Sequence, residues 1–423
     1  MKKSLSNAVF TSVGLLVAML FAGCLKDQCS NTYTMYRPIY KSLSQVRAGM
    51  KNGPVQPLKN TGKLYLYGSY VFLNELGAGI HIIDNSNPAQ PRNISFINIP
   101  GNVDLAVKDN YLYADSYSDL VVLDVANPQN VTAKKFVNNV FPNNGMYYWG
   151  SSTNPDSVQV VVGYTTKDTT VNCETVNIWN SCASCLLEDA SGNKFYSAAA
   201  AAAPAKGVGG SMARFSIVND YLYSVSFSHL NAFNISHAVE PVLQNQKNIG
   251  WNIETIYPFK NNLFIGSATG MFIYDITQAS DPSLVAQFSH VRSCDPVIAD
   301  DEYAYVTLRS GTQCAGFTNQ MEVLDITNLS SPVLKKTYAL TNPHGLSKEG
   351  DLLFICDGKD GLKVYDAAEA TNIKPIKTIG SLETYDVIAS NGIALVVAKD
   401  GLYQFDYTDR NNIRQISKMG ISK

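Results

Sequence analysis

Seven side chains of unlike chemistry stand at corresponding points along this chain: Lys63, Asp104, Arg214, Glu254, Asp295, His344 and Asp386. Together they supply four carboxylates, two permanent cations and one imidazole. Such a set can bind a polar ligand or a sugar, hold a cation through oxygen ligands, or exchange protons. His344 beside Asp295 or Asp386 would form an acid/base pair, and two carboxylates at the right separation would cleave a glycoside. No nucleophile motif of the G-x-S-x-G kind accompanies them. The competing reading is structural, because polar side chains facing a water-filled channel need no partner.

Residues so far apart in sequence meet only if a repeat carries them to one place. The burst "GIHIIDNSNPAQP" (79–91) returns as "DLVVLDVANPQNV" (119–131) and "GMFIYDITQASDP" (270–282). Aligned on its last acidic or amide residue it gives Asp84, Asp124, Asn234, Asp275, Asp325, Asp366 and Asp406, with spacings of 40, 110, 41, 50, 41 and 40. A period near 40 marks one supersecondary unit used repeatedly. Within a unit, "VDLAV", "YLYAD", "LVVLDV" and "VTAKKFV" are short runs rich in β-branched and aromatic residues, separated by Gly, Asn, Asp or Pro. Four such strands per unit, repeated seven times, predict an all-β, seven-bladed β-propeller of four-stranded antiparallel blades with a polar central channel. The seven unlike residues, each at the start of an inner strand, would ring one mouth of that channel. The repeated Asp, just before Ser/Thr-Asn-Pro, is expected to hold a turn by accepting backbone N–H groups.

The blades are expected at about 62–101, 102–140, 211–250, 251–293, 294–341, 342–382 and 383–420, with an insertion over 141–210. The 110-residue interval also admits a degenerate eighth blade, for which "VQVVVGYTTKDTTVN" (158–172) would supply a hairpin. The insertion holds "CETVNIWNSCASC" and then "SAAAAAAPAKGVGG", whose alanines stop at Pro204 before glycines, the pattern of a short helix or a mobile loop. Before the first blade, residues 24–61 read as a tether with a strand at "TYTMYRPIY" and a short helix at "SLSQVRAGM", where Ser42 and Gln45 have capping-box spacing. That strand is expected to add to a terminal blade.

"GIHIIDNSNPAQP", "LVVLDVANP", "MEVLDITNLSSP" and "GLKVYDAAEA" resemble the LVIVD repeat of bacterial and archaeal surface proteins. The resemblance covers roughly residues 62–420 without the insertion; it implies a propeller fold and no shared catalytic residues. The first residues, "MKKSLSNAVFTSVGLLVAMLFAGC", have the layout of a secretory signal over 1–23, and Phe21-Ala22-Gly23-Cys24 resembles the lipobox of bacterial lipoproteins. By that resemblance Cys24 carries lipid, palmitate included, and tethers the chain to a membrane. The combination is similar to LVIVD-repeat lipoproteins of Gram-negative, Bacteroides-like bacteria. It implies an outer-membrane lipoprotein of the cell envelope, facing the periplasm or the cell surface.

Thirty-three basic against 35 acidic side chains give no reason to expect nucleic acid as a partner, and no cofactor motif is present. Export places the seven cysteines besides Cys24 where disulfides persist, and an odd number leaves at least one unpaired within the chain. Cys294 and Cys314 flank the first strands of one unit and its long "RSGTQCAGFTNQ" loop, so a disulfide between them is expected. Cys182 and Cys185 form a lone CxxC, too few ligands for a closed zinc site. A loop disulfide from Cys173 is preferred there, and the pairing of Cys29, Cys173, Cys182 and Cys185 stays open. Cys356, inside a strand, reads as a buried thiol. "CDGKDGLKVYD" lacks the terminal glutamate and helices of an EF-hand and reads as a strand-to-strand turn, so no metal site is expected. The function these features favour is a lipid-anchored binding or protein-interaction module with a protein or glycan ligand; the alternative is a saccharide-acting hydrolase or lyase at the channel mouth.

Overall fold

The structure is a computed structural model describing residues 30–141, 148–149, 154–172, 207–290, 296–311 and 317–422. Seven sheets of four consecutive antiparallel strands follow one another in it, so the chain is a seven-bladed β-propeller, not an eight-bladed one. The innermost strands, in order, are Thr61–Tyr67, Leu105–Lys108, Phe215–Val218, Ile253–Phe259, Val297–Ala299, Leu346–Glu349 and Thr384–Ser390. Each touches the next, and the seventh touches the first, which closes the ring.

Burial explains why the sequence bursts look as they do. Middle strands such as Asp119–Asp124 and Gly79–Asp84 are covered on both faces by neighbouring blades, so they are continuous apolar runs instead of alternating ones. The outermost strands, such as Val333–Ala339, face solvent and carry lysines and threonines. In all seven blades the outer pair of strands contains a register shift close to the repeated Asp or Asn. Such bulges sharpen the local twist.

The repeated residue is a turn clamp in every blade. Oδ1 of Asp84 accepts from Ser86 N at 3.0 Å, that of Asn234 from Ser236 N at 2.9 Å and that of Asp275 from Thr277 N at 2.7 Å. Asp124, Asp325, Asp366 and Asp406 repeat the bond. The Ser86 hydroxyl and the Arg92 guanidinium hold the Asp84 carboxyl at about 2, and Thr327 and Lys335 do the same for Asp325.

Ring closure uses contacts between the first and last blades, not a strand shared between the chain ends. Asn85 and Gln404 form a reciprocal buried amide pair, with N···O distances of 3.1 and 2.6 Å. Leu58 bridges Ile421 in parallel, and Ser422 N donates to Leu58 O at 2.9 Å. The first blade gains two further short strands, Asn52–Gly53 on its outer edge and Val208–Gly209 on its inner edge. The expected capping box is present: Ser42 Oγ accepts from Gln45 N, and the Gln45 amide accepts from Ser42 N, at the head of helix Leu43–Ala48. The strand before that helix, Ser30–Ser42, differs from expectation. It pairs with Gln159–Asn172 instead of with a blade, and Asn52–Gly53 takes the blade-edge role.

Residues 30–39 and 163–172 belong to a smaller unit of their own. There Thr34 Oγ1 donates to Asp168 at 2.7 Å, and the rings of Tyr36 and Tyr164 meet edge-on at 6.4 Å. Among the described residues no helix is long and apolar enough to cross a membrane.

Candidate functional site

Six of the seven unlike residues lie at one end of the inner strands. Lys63, Glu254 and Asp386 stand within the first three residues of their strands, Asp104 and Arg214 immediately precede theirs, and His344 lies two residues before Leu346–Glu349. Asp295 lies outside the described residues, as do Cys24, Cys29, Cys173, Cys182, Cys185, Cys294 and Cys314. A wet funnel is not what the strands build, however. Lys63, Asp104, His344 and Asp386 are each no more than 4% exposed, while Arg214 and Glu254 are half-buried.

The reason is a segment of the chain itself. Gly207–Ala213, the end of the insertion, runs antiparallel along the channel-facing edge of Thr61–Tyr67, pairing Val208 with Leu66 and Gly209 with Tyr65. Gly210 N donates to Leu64 O at 3.1 Å. Across the channel, Leu346 N donates to Ser211 Oγ at 3.0 Å, and where the segment enters blade 3 the neighbouring Ile256 N donates to Ala213 O at 2.7 Å. Met212 packs against Tyr385. The segment therefore bonds to the inner strands of blades 1, 4 and 6, and it lies buried across the channel expected to hold water. Its glycines are a packing requirement: a Cβ on Gly207 would stand 2.6 Å from the Tyr65 ring, which is fixed by its hydroxyl donating to Val107 O at 3.2 Å. What reads in sequence as a loose "GVGG" linker is packed against the Tyr65 ring, where a side chain would not fit.

Charges surround the upper end of this plug. Lys63 Nζ donates to Met212 O at 3.0 Å and lies 3.7 Å from Asp104 Oδ2. Asp104 accepts from the backbone N–H of Leu105 at 2.7 Å and from that of Arg214. Burial pulls the Lys63 ammonium down to about 8, although Asp104 opposes the shift, and burial pushes the Asp104 carboxyl up. Both partners are thus displaced toward their neutral forms, as expected where desolvation outweighs pairing. Asp386 goes further. Its Oδ1 accepts from Val387 N at 2.6 Å, its Oδ2 has no hydrogen-bond partner among the described residues, and burial raises its carboxyl well above the usual range. It makes no bond to His344, so that acid/base pair is not formed. His344 sits edge-on to Tyr385 at 5.4 Å, and burial, together with the Arg309 charge, holds the imidazole neutral.

Three stretches, residues 60–96, 101–139 and 292–340, match the family model of the LVIVD repeat. The chain carries LVIVD repeats. They coincide with blades 1, 2 and 5, and no curated protein matches the sequence as a whole. Solved structures share the fold at low identity. A protein from Lactobacillus plantarum is 11% identical with a TM-score of 0.52, over 85% of this chain and 98% of its own. The computationally designed Ika8 protein is 9% identical with a TM-score of 0.51, over 87% and 91%. The periplasmic gluconolactonase PpgL of Pseudomonas aeruginosa is 12% identical with a TM-score of 0.50, over 85% and 96%.

Blades 1, 2 and 6 also carry a second acidic position, outside the set of seven. Glu75, Asp115 and Asp357 each stand nine residues before the clamp of their blade, a spacing visible in the sequence. Each carboxylate takes backbone N–H groups of the strand-connecting loop: Asp115 from Val103 at 2.7 Å and Asp104 at 2.9 Å, Asp357 from Asn342 at 2.7 Å, Glu75 from Lys59 at 3.1 Å. Burial pushes the Asp115 carboxyl up to about 6. Cys356 is buried as expected, its thiol raised by burial.

Proposed function

We propose that this protein is a lipid-anchored, non-catalytic binding module of the cell envelope, tethered through Cys24 to the outer membrane and carrying the propeller on its periplasmic or surface side. The observation that carries the reading is the plug. Where the repeat gathers its unlike residues, Gly207–Ala213 lies across the channel, and Lys63 is bonded to it and paired with Asp104. Carboxylates committed to a buried lysine and to backbone N–H groups lack the freedom that glycoside cleavage asks of an acid and a base. Binding surfaces are then the loops and outer strands. The tether is supported by the sequence alone, through its signal-like start and Phe21-Ala22-Gly23-Cys24.

The full-length protein, purified from membranes, tests both parts. Metabolic labelling with an alkynyl palmitate should mark the wild type and fail on Cys24→Ala. Incubation with neutral and acidic envelope saccharides should leave them intact; cleavage that disappears in Asp104→Asn would overturn the non-catalytic reading.

A further inference from the structure

The loops at the strand-start end of blades 3 and 4 leave two aromatic side chains uncovered. Trp251 is 76% exposed and Phe227 40% exposed, and their rings meet edge to face at 5.9 Å and 89°. Ile253 N donates to Phe227 O at 3.1 Å, which ties the two loops together, so the pair stands on fixed backbone. An exposed tryptophan held this way does nothing for the core, since the apolar area it could bury remains in water.

The neighbouring side chains identify the chemistry. The loops read Ser226-Phe227-Ser228-His229 and Asn248-Ile249-Gly250-Trp251-Asn252, without a single Asp, Glu, Lys or Arg. The corresponding loops of blades 6 and 7, "DGKDG" (357–361) and "KDG" (399–401), are charged. Beside the rings in sequence stand hydrogen-bonding groups: Ser228 Oγ lies 2.9 Å from His229 Nδ1, and Asn248 Oδ1 accepts from Gly250 N at 3.3 Å. An exposed indole face with a rim free of permanent charge matches a pyranose, which has one C–H face and a girdle of hydroxyls. A stable protein partner would cover roughly 800 Å² on this side and want an apolar surround that excludes water. Two rings set in a polar rim are too small a patch for that.

We propose that Trp251, braced edge to face by Phe227, forms a stacking platform for a neutral saccharide, distinct from the residues around the channel. This rests on the reading of the protein as a binding module and names its ligand class. The test is titration of the full-length protein in detergent with cello-, malto-, manno- and xylo-hexaoses, beside an oligogalacturonide as the charged probe, followed by calorimetry. The expected result is binding of at least one neutral hexaose, weakened about tenfold or more in Trp251→Ala, less in Trp251→Phe and Phe227→Ala, and unchanged in Asp104→Asn. Retained affinity in Trp251→Ala, binding of the oligogalacturonide alone, or no saccharide bound at all would overturn the platform. Because Trp251 is on the surface, the variant keeps its fold, and its melting temperature serves as the control. Hydrolysis of a bound hexaose would sink the non-catalytic reading while leaving the platform standing if Trp251→Ala still lost affinity, so the two failures are distinguishable.

Discussion

The ammonium of Lys63 and the carbonyl oxygen of Met212 are 3.0 Å apart although 149 residues separate them, and this bond ties the end of the insertion to the first blade. The same ammonium is the buried counter-charge of Asp104. Lys63→Met would leave Asp104 without its neighbouring ammonium and Met212 O without its donor. Removing one member of a buried pair costs about 3–5 kcal/mol. The expected outcome is a fall in unfolding free energy of that order, with faster hydrogen exchange at Ile256 N, whose acceptor is Ala213 O in the plug. Unchanged exchange at Ile256 would mean that Lys63 does not hold the segment.

Asp386 sets the sign of the pH dependence. Its native carboxyl titrates well above 3.8, so over that interval the folded state holds a proton that the unfolded chain has released, and stability falls as pH rises through it. Asp115, raised to about 6, acts in the same direction between 3.8 and 6. Lys63 acts oppositely at higher pH. Lowered from 10.5 to about 8, it releases its proton first in the folded state, so its contribution to stability rises across that window. Asp386→Asn replaces a neutral acid by a neutral amide of similar shape. The variant should match the wild type near pH 4 and exceed it in melting temperature at pH 8, giving a flatter profile. A variant less stable than wild type at pH 8 would show that Asp386 is ionised and paired in the native state.

The seven turn clamps need an oxygen at Oδ1 more than they need a charge. Asn234 already occupies one of the seven positions and still accepts from Ser236 N at 2.9 Å. At Asp325 the carboxylate accepts from Thr327 N at 3.0 Å and from the Thr327 hydroxyl at 2.6 Å, with Lys335 at 3.0 Å. Asp325→Asn keeps the backbone acceptor and loses only a solvent-exposed ion pair, which contributes little. Asp325→Ala loses both. Thermal melts should therefore rank wild type close to Asn and Ala clearly below. Equal melting temperatures for Asn and Ala would assign the stabilisation to the lysine.

That regularity is why the fold was legible. A clamp placed every forty residues and apolar runs covered on both faces leave a periodic trace, and Ser42 with Gln45 leaves a local one. The candidate site was legible only in position. Strand starts locate Lys63, Asp104 and Asp386 at one end of the blades, but their burial depends on Gly207–Ala213, a segment with no periodicity whose partner strand lies some 140 residues away. Composition cannot distinguish glycines that permit motion from glycines that permit contact. Asp115 and Asp357 were legible by their nine-residue offset from the clamp, a signal lost among the ordinary acidic residues of turns.

Gly207 offers the direct test of contact against motion. If "GVGG" is a flexible linker, Gly207→Ala removes unfolded-state freedom and stabilises slightly. If the glycine is there because Tyr65 lies against it, the added Cβ meets the ring at 2.6 Å and the plug must shift. The ring cannot move aside freely, since its hydroxyl is bonded to Val107 O. Gly207→Ala should then lower the melting temperature and raise exchange at Ile256 N. The same substitution made in a Tyr65→Ala background, where the obstructing ring is absent, should cost far less. A cycle in which the two changes add would show that they do not meet, whereas strong coupling between them is what close packing of the segment on Tyr65 requires.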